Sequence, residues 1–470
     1  MGTISSAFSV ISQALDADQS ALSIVSNNVA NANTTGYTRE VANFEENAPI
    51  TINGVAYGSG VTQTGATSVR DKVLEERLVQ QQQLASASGT RLTALDTMQA
   101  LFTPASGSST STSADIGTDI TSFFSAVTAL EASPADQTTR QAVLSTASAL
   151  SVDISSAATS LNQQKSALDQ DAASVTSQVN TLTSAIAGLN LEIQSSTATT
   201  GAATLEDTRE QDISQLSQLV GINQITSDNG SLSITTTSGQ ALVMEGNSYQ
   251  LTNGTVNGCT HFFVGSTDVT SELTTGGGEL GGYLTARDTD IPNVLSSLDQ
   301  LAYSISTNVN TVNNNGTDLA GDNLNAGDIF SEPTQVAGSA ASMSVTMTDP
   351  DHIAAAKLGA GTGNNANATA MADLANQKIV SGQTPVGFYA SFVAELGSTV
   401  AGVQAESTAQ NASVTQLQTQ ASALSSVNLN DEAASMQQFE RSYQAAAQVF
   451  TMLNQIMASA LNLGQATAVS

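Results

Sequence analysis

The residues able to do chemistry are few and scattered. The 470-residue chain holds 2 His, 1 Cys and no Trp. Cys259 and His261 stand two apart, so on an extended strand they share a face. A thiol nucleophile needs a base within hydrogen-bond reach and a third group to orient that base. The Thr- and Gly-rich surroundings offer no oxyanion site, and an inert strand pair is expected. Asp349-Pro350-Asp351-His352 has the residue types of a metal site. Asp-Pro followed by Asp more often makes a turn and a helix start, with carboxylates favoured at the N-terminus. Asp318, Asp322 and Asp328 sit in a Gly/Asn-rich stretch that could hold Ca²⁺ weakly. The regular spacing and terminal Glu of a calcium loop are missing, so a solvated loop is expected. Gly276-Gly277-Gly278 and Gly281-Gly282 precede no Gly-Lys-Ser/Thr and neighbour acidic Glu279, which speaks against a phosphate cradle. This inventory excludes a disulfide framework, a His/Cys metal cluster and a Ser/His/Asp arrangement. No catalytic, cofactor-binding or metal-binding residue is assigned. The reading moves from enzyme to assembly protein.

Charge and composition point the same way. Lys plus Arg is 12 and Asp plus Glu is 41, a net charge of −29. That excludes a nucleic-acid binder resting on a basic patch and opposes docking on an anionic membrane. Only 11% of the chain is charged, against about 25% in an average domain. Ala, Ser, Thr, Gln and Asn make up the bulk, which suits long helices touching through small side chains. No stretch approaches the roughly 20 apolar residues of a membrane span. No cleaved leader is expected, because the first basic residue is Arg39 and the apolar positions before it are scattered. Met1-Gly2-Thr3-Ile4-Ser5-Ser6 fits a loose myristoylation pattern and is read as coincidence. At roughly 150 residues per domain the length suggests about three domains.

The elements that must organise such a chain announce themselves by heptad spacing. Apolar residues at alternating steps of three and four keep one stripe of a helix facing a partner. Ile4, Phe8, Ile11, Leu15, Leu22, Val25 and Val29 form such a seam, with Asp18 at the one skipped position. Met436, Phe439, Tyr443, Ala446, Phe450, Leu453, Met457 and Ala460 form another without a break. Both ends are therefore expected to be helices that pair with each other or with copies from other subunits. Interior seams run from Val143 to Leu168 and on from Val175 to Ile193, from Ile291 to Val312, and from Tyr389 to Val403, resuming at Val414 to Leu424. Gly188 and the interruptions at Gln164 and Asp171 make a bend or break in the first plausible.

Residues 220–280 read as β structure. Ser231-Leu232-Ser233-Ile234-Thr235 alternates after the turn Asp228-Asn229-Gly230, Leu242-Val243-Met244 and Phe262-Phe263-Val264 are short strands, and Asn253-Gly254 and Asn257-Gly258 punctuate them. Residues 336–348 could add a strand. Residues 104–114 read as a low-complexity linker. The fold class is mainly α with a smaller β-rich domain: terminal helices paired as a coiled coil, a long-helix bundle, and an inserted β domain. The expected divisions are 1–40 with 427–470, 41–219 with 281–330 and 349–426, and 220–280, with 331–348 as a candidate addition to the last.

Two motifs carry a resemblance. Ser26-Asn27-Asn28-Val29-Ala30-Asn31-Ala32-Asn33-Thr34-Thr35-Gly36-Tyr37-Thr38-Arg39 resembles the N-terminal signature of bacterial flagellar axial proteins. Val427-Asn428-Leu429-Asn430-Asp431-Glu432-Ala433-Ala434, followed by Phe439-Glu440-Arg441-Ser442-Tyr443-Gln444-Ala445, resembles the matching C-terminal one. Leu280-Gly281-Gly282-Tyr283-Leu284-Thr285-Ala286-Arg287-Asp288 and Leu298-Asp299-Gln300-Leu301-Ala302 are similar to the interior of the hook-associated members. Asn313, where the family often has His, and the polar residues 360–415 depart from the pattern. The resemblance implies a structural protein outside the cell at the hook–filament junction, exported unfolded through the flagellar type III apparatus. Implied partners are the hook protein, a second junction protein, further copies of the chain and a cytoplasmic export chaperone. The implied assembly interface comprises both terminal seams with Asn28, Asn31, Gly36 and Tyr37. The hook subunit and a cytosolic helical scaffold are the alternatives.

Overall fold

The computed structural model describes residues 2–34, 36–52, 54–102, 115–196, 202–226, 232–256, 259–321 and 327–466. The expected linker at 104–114, the turn at 228–230, the Asn257-Gly258 pair and Asp322 lie outside them. In chain order the elements are α1 (Gly2–Asn31), β1 (Glu40–Glu46), β2 (Ile50–Ile52), β3 (Val55–Tyr57), β4 (Val61–Ser68), α2 (Lys72–Phe102), α3 (Ile116–Ala132), α4 (Gln137–Ser195) and α5 (Ala202–Leu219). Then come β5 (Ile222–Thr226), β6 (Leu232–Thr236), β7 (Ala241–Met244), β8 (Asn247–Ser248), β9 (Leu251–Val256), β10 (Cys259–Val264) and β11 (Thr267–Asp268). α6 (Thr270–Gly276), α7 (Gly278–Thr285), α8 (Ile291–Asn314), β12 (Gly316–Thr317), α9 (Ser339–Ser342), β13 (Ala356–Lys357), α10 (Ala366–Asp373), α11 (Pro385–Ser425) and α12 (Leu429–Ala466) complete the chain.

The spine is α4, one unbroken helix of 59 residues. At 1.5 Å per residue it extends about 90 Å. Its start is capped by Asp136, whose side chain accepts from the Thr138 amide at 2.6 Å. The helix does not break at Gln164: the side-chain Nε2 donates to the Ala94 carbonyl at 2.8 Å, so the polar interruption is used to grip α2. The first half of the seam, Val143 to Leu168, enters an apolar core shared with α2, α3, α8, α10 and α11. The second half, Ala172 to Ala187, enters a second core with α5, the strands and α7. One heptad helix thus serves two cores, because its apolar stripe continues past the place where its partners change.

The β region has a four-stranded sheet ordered β5-β6-β7-β8 and a three-stranded sheet ordered β11-β10-β9, antiparallel throughout. Its inward residues Ile222, Leu232, Ile234, Leu242, Val243, Leu251, Phe262 and Val264 pack against α4 and α5. Residues 336–348 differ from the strand expected there. They contain the short helix α9, and Val345 makes a single bridge to Phe330. The alternation of Val345 and Met347 reflects burial of Met347 beside helices, not a ladder.

The glycine pair in α7 has a packing role. A Cβ on Gly282 would lie 2.6 Å from the Ala87 carbonyl, so its absence lets α7 press against the backbone of α2. A π turn, Ala286–Asp290, then joins α7 to α8. It places buried Arg287 against Asp169 (2.6 Å) and Asp288 (2.7 Å), and Asp290 against Arg91 at 2.8 and 2.9 Å. Asn313 is fully buried: its Nδ2 donates to the Gly327 carbonyl (2.8 Å) and its Oδ1 accepts from the Ala354 amide (2.9 Å). Within Pro385–Ala460 one 18-residue window reaches a mean hydropathy of 1.3, enough by length and composition to cross a membrane. Tyr389, Phe392, Leu396, Val400 and Val403 of this stretch instead pack into the first core.

Candidate assembly interface

The residues first read for chemistry are engaged in structure. Cys259 is exposed on β10, and the His261 ring lies 2.6 Å from Asp268 Oδ2 on β11. Asp349 caps a short 3₁₀ turn, Pro350–His352, by accepting from the Asp351 amide at 3.0 Å. His352 Nδ1 is 2.8 Å from Asp318 Oδ2, which ties that turn to the segment after β12. Among the described residues no three His, Cys, Asp or Glu side chains gather in a group able to hold a metal ion.

The chain ends form a separate rod. α1 and α12 run antiparallel: Phe8 meets Phe450 edge-on, with ring centroids 5.2 Å apart, and Asn28 meets Glu432 at the other end. β1 and β4 pair antiparallel with a bulge between Asn43 and Phe44, and both strands lie on α1. Phe44 approaches Phe439 of α12 at 6.5 Å. Ile4, Phe8, Ile11, Leu15 and Leu22 are half-buried, as are Met436, Phe439, Ala446, Phe450 and Leu453. Val25 is buried beside Ala17, Ala21 and Ile24, while Val29, Tyr443 and Met457 stay exposed. Asp18, at the skipped seam position, is buried, and its Oδ2 has no hydrogen-bond partner among the described residues.

A second stripe escaped the sequence reading. Val449, Met452 and Ile456 repeat the three-then-four spacing one residue ahead of Phe450, Leu453 and Met457. They are 40%, 53% and 54% exposed. The Phe-Leu-Met seam satisfied the heptad pattern and hid its neighbour. One seam meets α1, and among the described residues the adjacent stripe stays exposed.

Where the two signatures meet, they build one polar node. Asn28 is fully buried. Its Nδ2 donates to the Glu40 carbonyl (2.8 Å) and to Glu432 Oε2 (3.1 Å). Its Oδ1 accepts from the Tyr37 hydroxyl (2.8 Å) and the Glu40 amide (2.9 Å). Arg39 Nε donates to Glu432 Oε1 at 2.6 Å. Gly36 turns the chain at φ +82°, the left-handed region that favours glycine. Asn31 bonds back to Asn27 and does not reach the node. Burial, then the carboxylates Glu40, Asp207 and Glu432, push the Tyr37 hydroxyl above its usual range, so it remains a donor. Burial and then Asp207 raise the Glu40 carboxyl. Arg39, Glu40, Glu432 and Asp207 were not singled out by sequence reasoning. The first three lay inside or beside the quoted signatures, and Asp207 carried no local signal.

Known proteins are similar to this sequence along nearly the whole chain. Residues 107–330 match the model of the flagellar hook-associated protein FlgK helical domain, and residues 9–38 that of the flagella basal body rod protein. Flagellar hook-associated protein 1 of Escherichia coli (strain K12) is 26% identical over 96% of this chain and 98% of its own length. The protein of the same name from Bacillus subtilis (strain 168) is 27% identical over 96% of each. The chain is thus similar to flagellar hook-associated protein 1 along nearly its whole length. The solved flagellar hook junction protein FlgK from Burkholderia pseudomallei shares the fold at a TM-score of 0.65 and 18% identity, over 73% of this chain and 99% of that one. Four residues of the two terminal motifs, Asn28, Tyr37, Arg39 and Glu432, close the node between α1 and α12.

Proposed function

We propose that the chain is a structural subunit of the bacterial flagellum that joins hook to filament and is needed for the filament to assemble. The carrying observation is the rod, an antiparallel helix pair with an uncovered apolar stripe at Val449, Met452 and Ile456. Among the described residues, neither apolar core contains one before Val79 or after Val403. Contacts that repeat from copy to copy without closing build tubes. Each large apolar side chain that a neighbour covers contributes about 1.5–3 kcal/mol. Three half-exposed ones per subunit, repeated around a tube, favour assembly strongly. The interface we assign comprises this stripe together with Ile4, Phe8, Ile11, Leu15, Leu22, Val25, Val29, Met436, Phe439, Tyr443, Ala446, Phe450, Leu453 and Met457. Asn28, Gly36 and Tyr37 hold its shape.

The protein works outside the cell, after export through the flagellar type III apparatus. Its partners are the hook protein, a second junction protein, further copies of itself and a cytoplasmic chaperone that shields the apolar ends before export. Its task is mechanical, not enzymatic.

Removing residues 1–40 and 427–470 tests this reading. The remaining body should stay soluble, folded and monomeric, since both cores lie within it, and should fail to restore filament attachment in a junction-deficient strain. Restored swimming would defeat the proposal.

A further inference from the structure

We infer that Asp207 is a positioning residue: it is the catch by which the body holds the rod at one angle. The inference rests on the junction reading and deepens it, since it concerns how such a subunit carries load.

The joint is polar. Neither apolar core reaches the rod: among the described residues, both cores lie between Val79 and Val403. The rod's own buried apolar residues, Ala17, Ala21, Ile24 and Val25, belong to neither. What crosses the joint is a short set of hydrogen bonds. The Arg39 amide donates to the Ser425 carbonyl at 2.9 Å, and the Val69 amide to the Arg39 carbonyl at 2.8 Å. These two bonds lie next to the strands of chain that connect rod and body, so they act close to the pivot.

Asp207 adds a contact at the same place from a third element, α5, which no neighbouring stretch of chain ties to the rod. It sits on α5, far along the chain from the rod, and is nearly buried. Its Oδ2 accepts from the Thr38 amide at 3.0 Å, and its Oδ1 accepts from Ser68 Oγ at 3.5 Å and from Arg70. One carboxylate thus grips the end of the signature loop, the end of β4 and the link into α2. Arg70 is held in turn by Glu75 at 3.2 Å. Gly36 faces the same helix: a Cβ there would lie 3.8 Å from Gln211 Oε1.

A polar joint behaves differently from an apolar one. Its bonds can be exchanged for water without opening a cavity, so the angle is a soft coordinate with one preferred setting. The charged bonds to Asp207 supply that preference. A subunit that passes force from one part of an assembly to the next needs such a setting, firm enough to transmit force and able to yield and return.

The test uses the full-length chain, as wild type, Asp207→Ala and Asp207→Asn, in a junction-deficient strain. Asn retains an oxygen for the Thr38 amide and loses the charge toward Arg70. Both variants should form the wild-type immunogold band at the hook–filament boundary. The purified chains should lose body helicity at the wild-type temperature. Under graded shear Asp207→Ala should shed filaments about tenfold more often, the scale of one charge-assisted hydrogen bond, with Asp207→Asn between. Wild-type filament retention by Asp207→Ala would overturn the inference. So would a lowered body melting temperature or a missing band in both variants, which would make Asp207 a prop of the body. A missing band with the wild-type chain would defeat the junction reading itself, and the joint with it.

Discussion

Replacing Glu432 by Ala probes the node at its buried carboxylate. Glu432 is the one buried residue among those described in α12, its side chain only 1% exposed. It accepts from Arg39 at 2.6 Å and from Asn28 at 3.1 Å. Losing a charged hydrogen bond costs about 1.5–3 kcal/mol when the partner is left dry. Neither partner is left wholly so. Arg39 is 31% exposed and regains water, and Asn28 Nδ2 keeps the Glu40 carbonyl. A net loss of about 2 kcal/mol follows, which is roughly 30-fold in the opening equilibrium at about 1.4 kcal/mol per factor of ten. Amide hydrogen exchange of the full-length chain, read by mass spectrometry, measures this directly. Peptides spanning 26–40 and 428–436 should exchange about 30-fold faster in Glu432→Ala, while peptides from α3 do not change. Glu432→Gln keeps an acceptor and should fall between. Less than about a threefold change in Glu432→Ala would refute the claim that the node holds the helix ends together.

Two further perturbations test the body. Burial, then a hydrogen bond to and the charge of Asp153, then Asp115, push the Asp119 carboxyl up to about 7. An unfolded Asp titrates near 4, so between roughly pH 4 and 7 the folded chain holds the extra proton, and stability falls as pH rises through that window. Asp119→Asn should therefore shrink the drop in melting temperature between pH 5 and pH 8, and an undiminished drop would count against this account. Phe123 is fully buried, with ring centroids 5.1 Å from Phe124 and 5.5 Å from Phe330. Phe123→Ala should cost about 3–5 kcal/mol in urea unfolding of the body, and a cost below about 1 kcal/mol would show that the first core is not packed as described.

Much of the fold was legible because period and composition are local properties. The seams at Val143 to Ile193, Ile291 to Val312 and Tyr389 to Val403 mark helices that exist in the structure. The turn-bounded apolar runs at 232–235 and 242–244 are strands. The errors have a common cause. Gln164 and Asp171 looked like places to break α4, because a sequence does not show that Gln164 reaches the Ala94 carbonyl of another helix. The alternation at 343–347 looked like a strand, because periodicity cannot tell a ladder from a loop whose alternate residues rest on helices.

The sequence by itself determined that this is a long-helix protein with apolar terminal seams, and it carried two motifs that resemble those of axial proteins. Stripe, spacing and motif are written along one dimension. Only the tertiary structure decided that α1 and α12 meet antiparallel within one chain, that the stripe left open is Val449, Met452 and Ile456, and that Asn28, Arg39 and Glu432 close one node beside Asp207. Those facts depend on which faces become neighbours after the chain turns back on itself. Asn28 and Glu432 are 404 residues apart, and no local pattern encodes a contact across that distance.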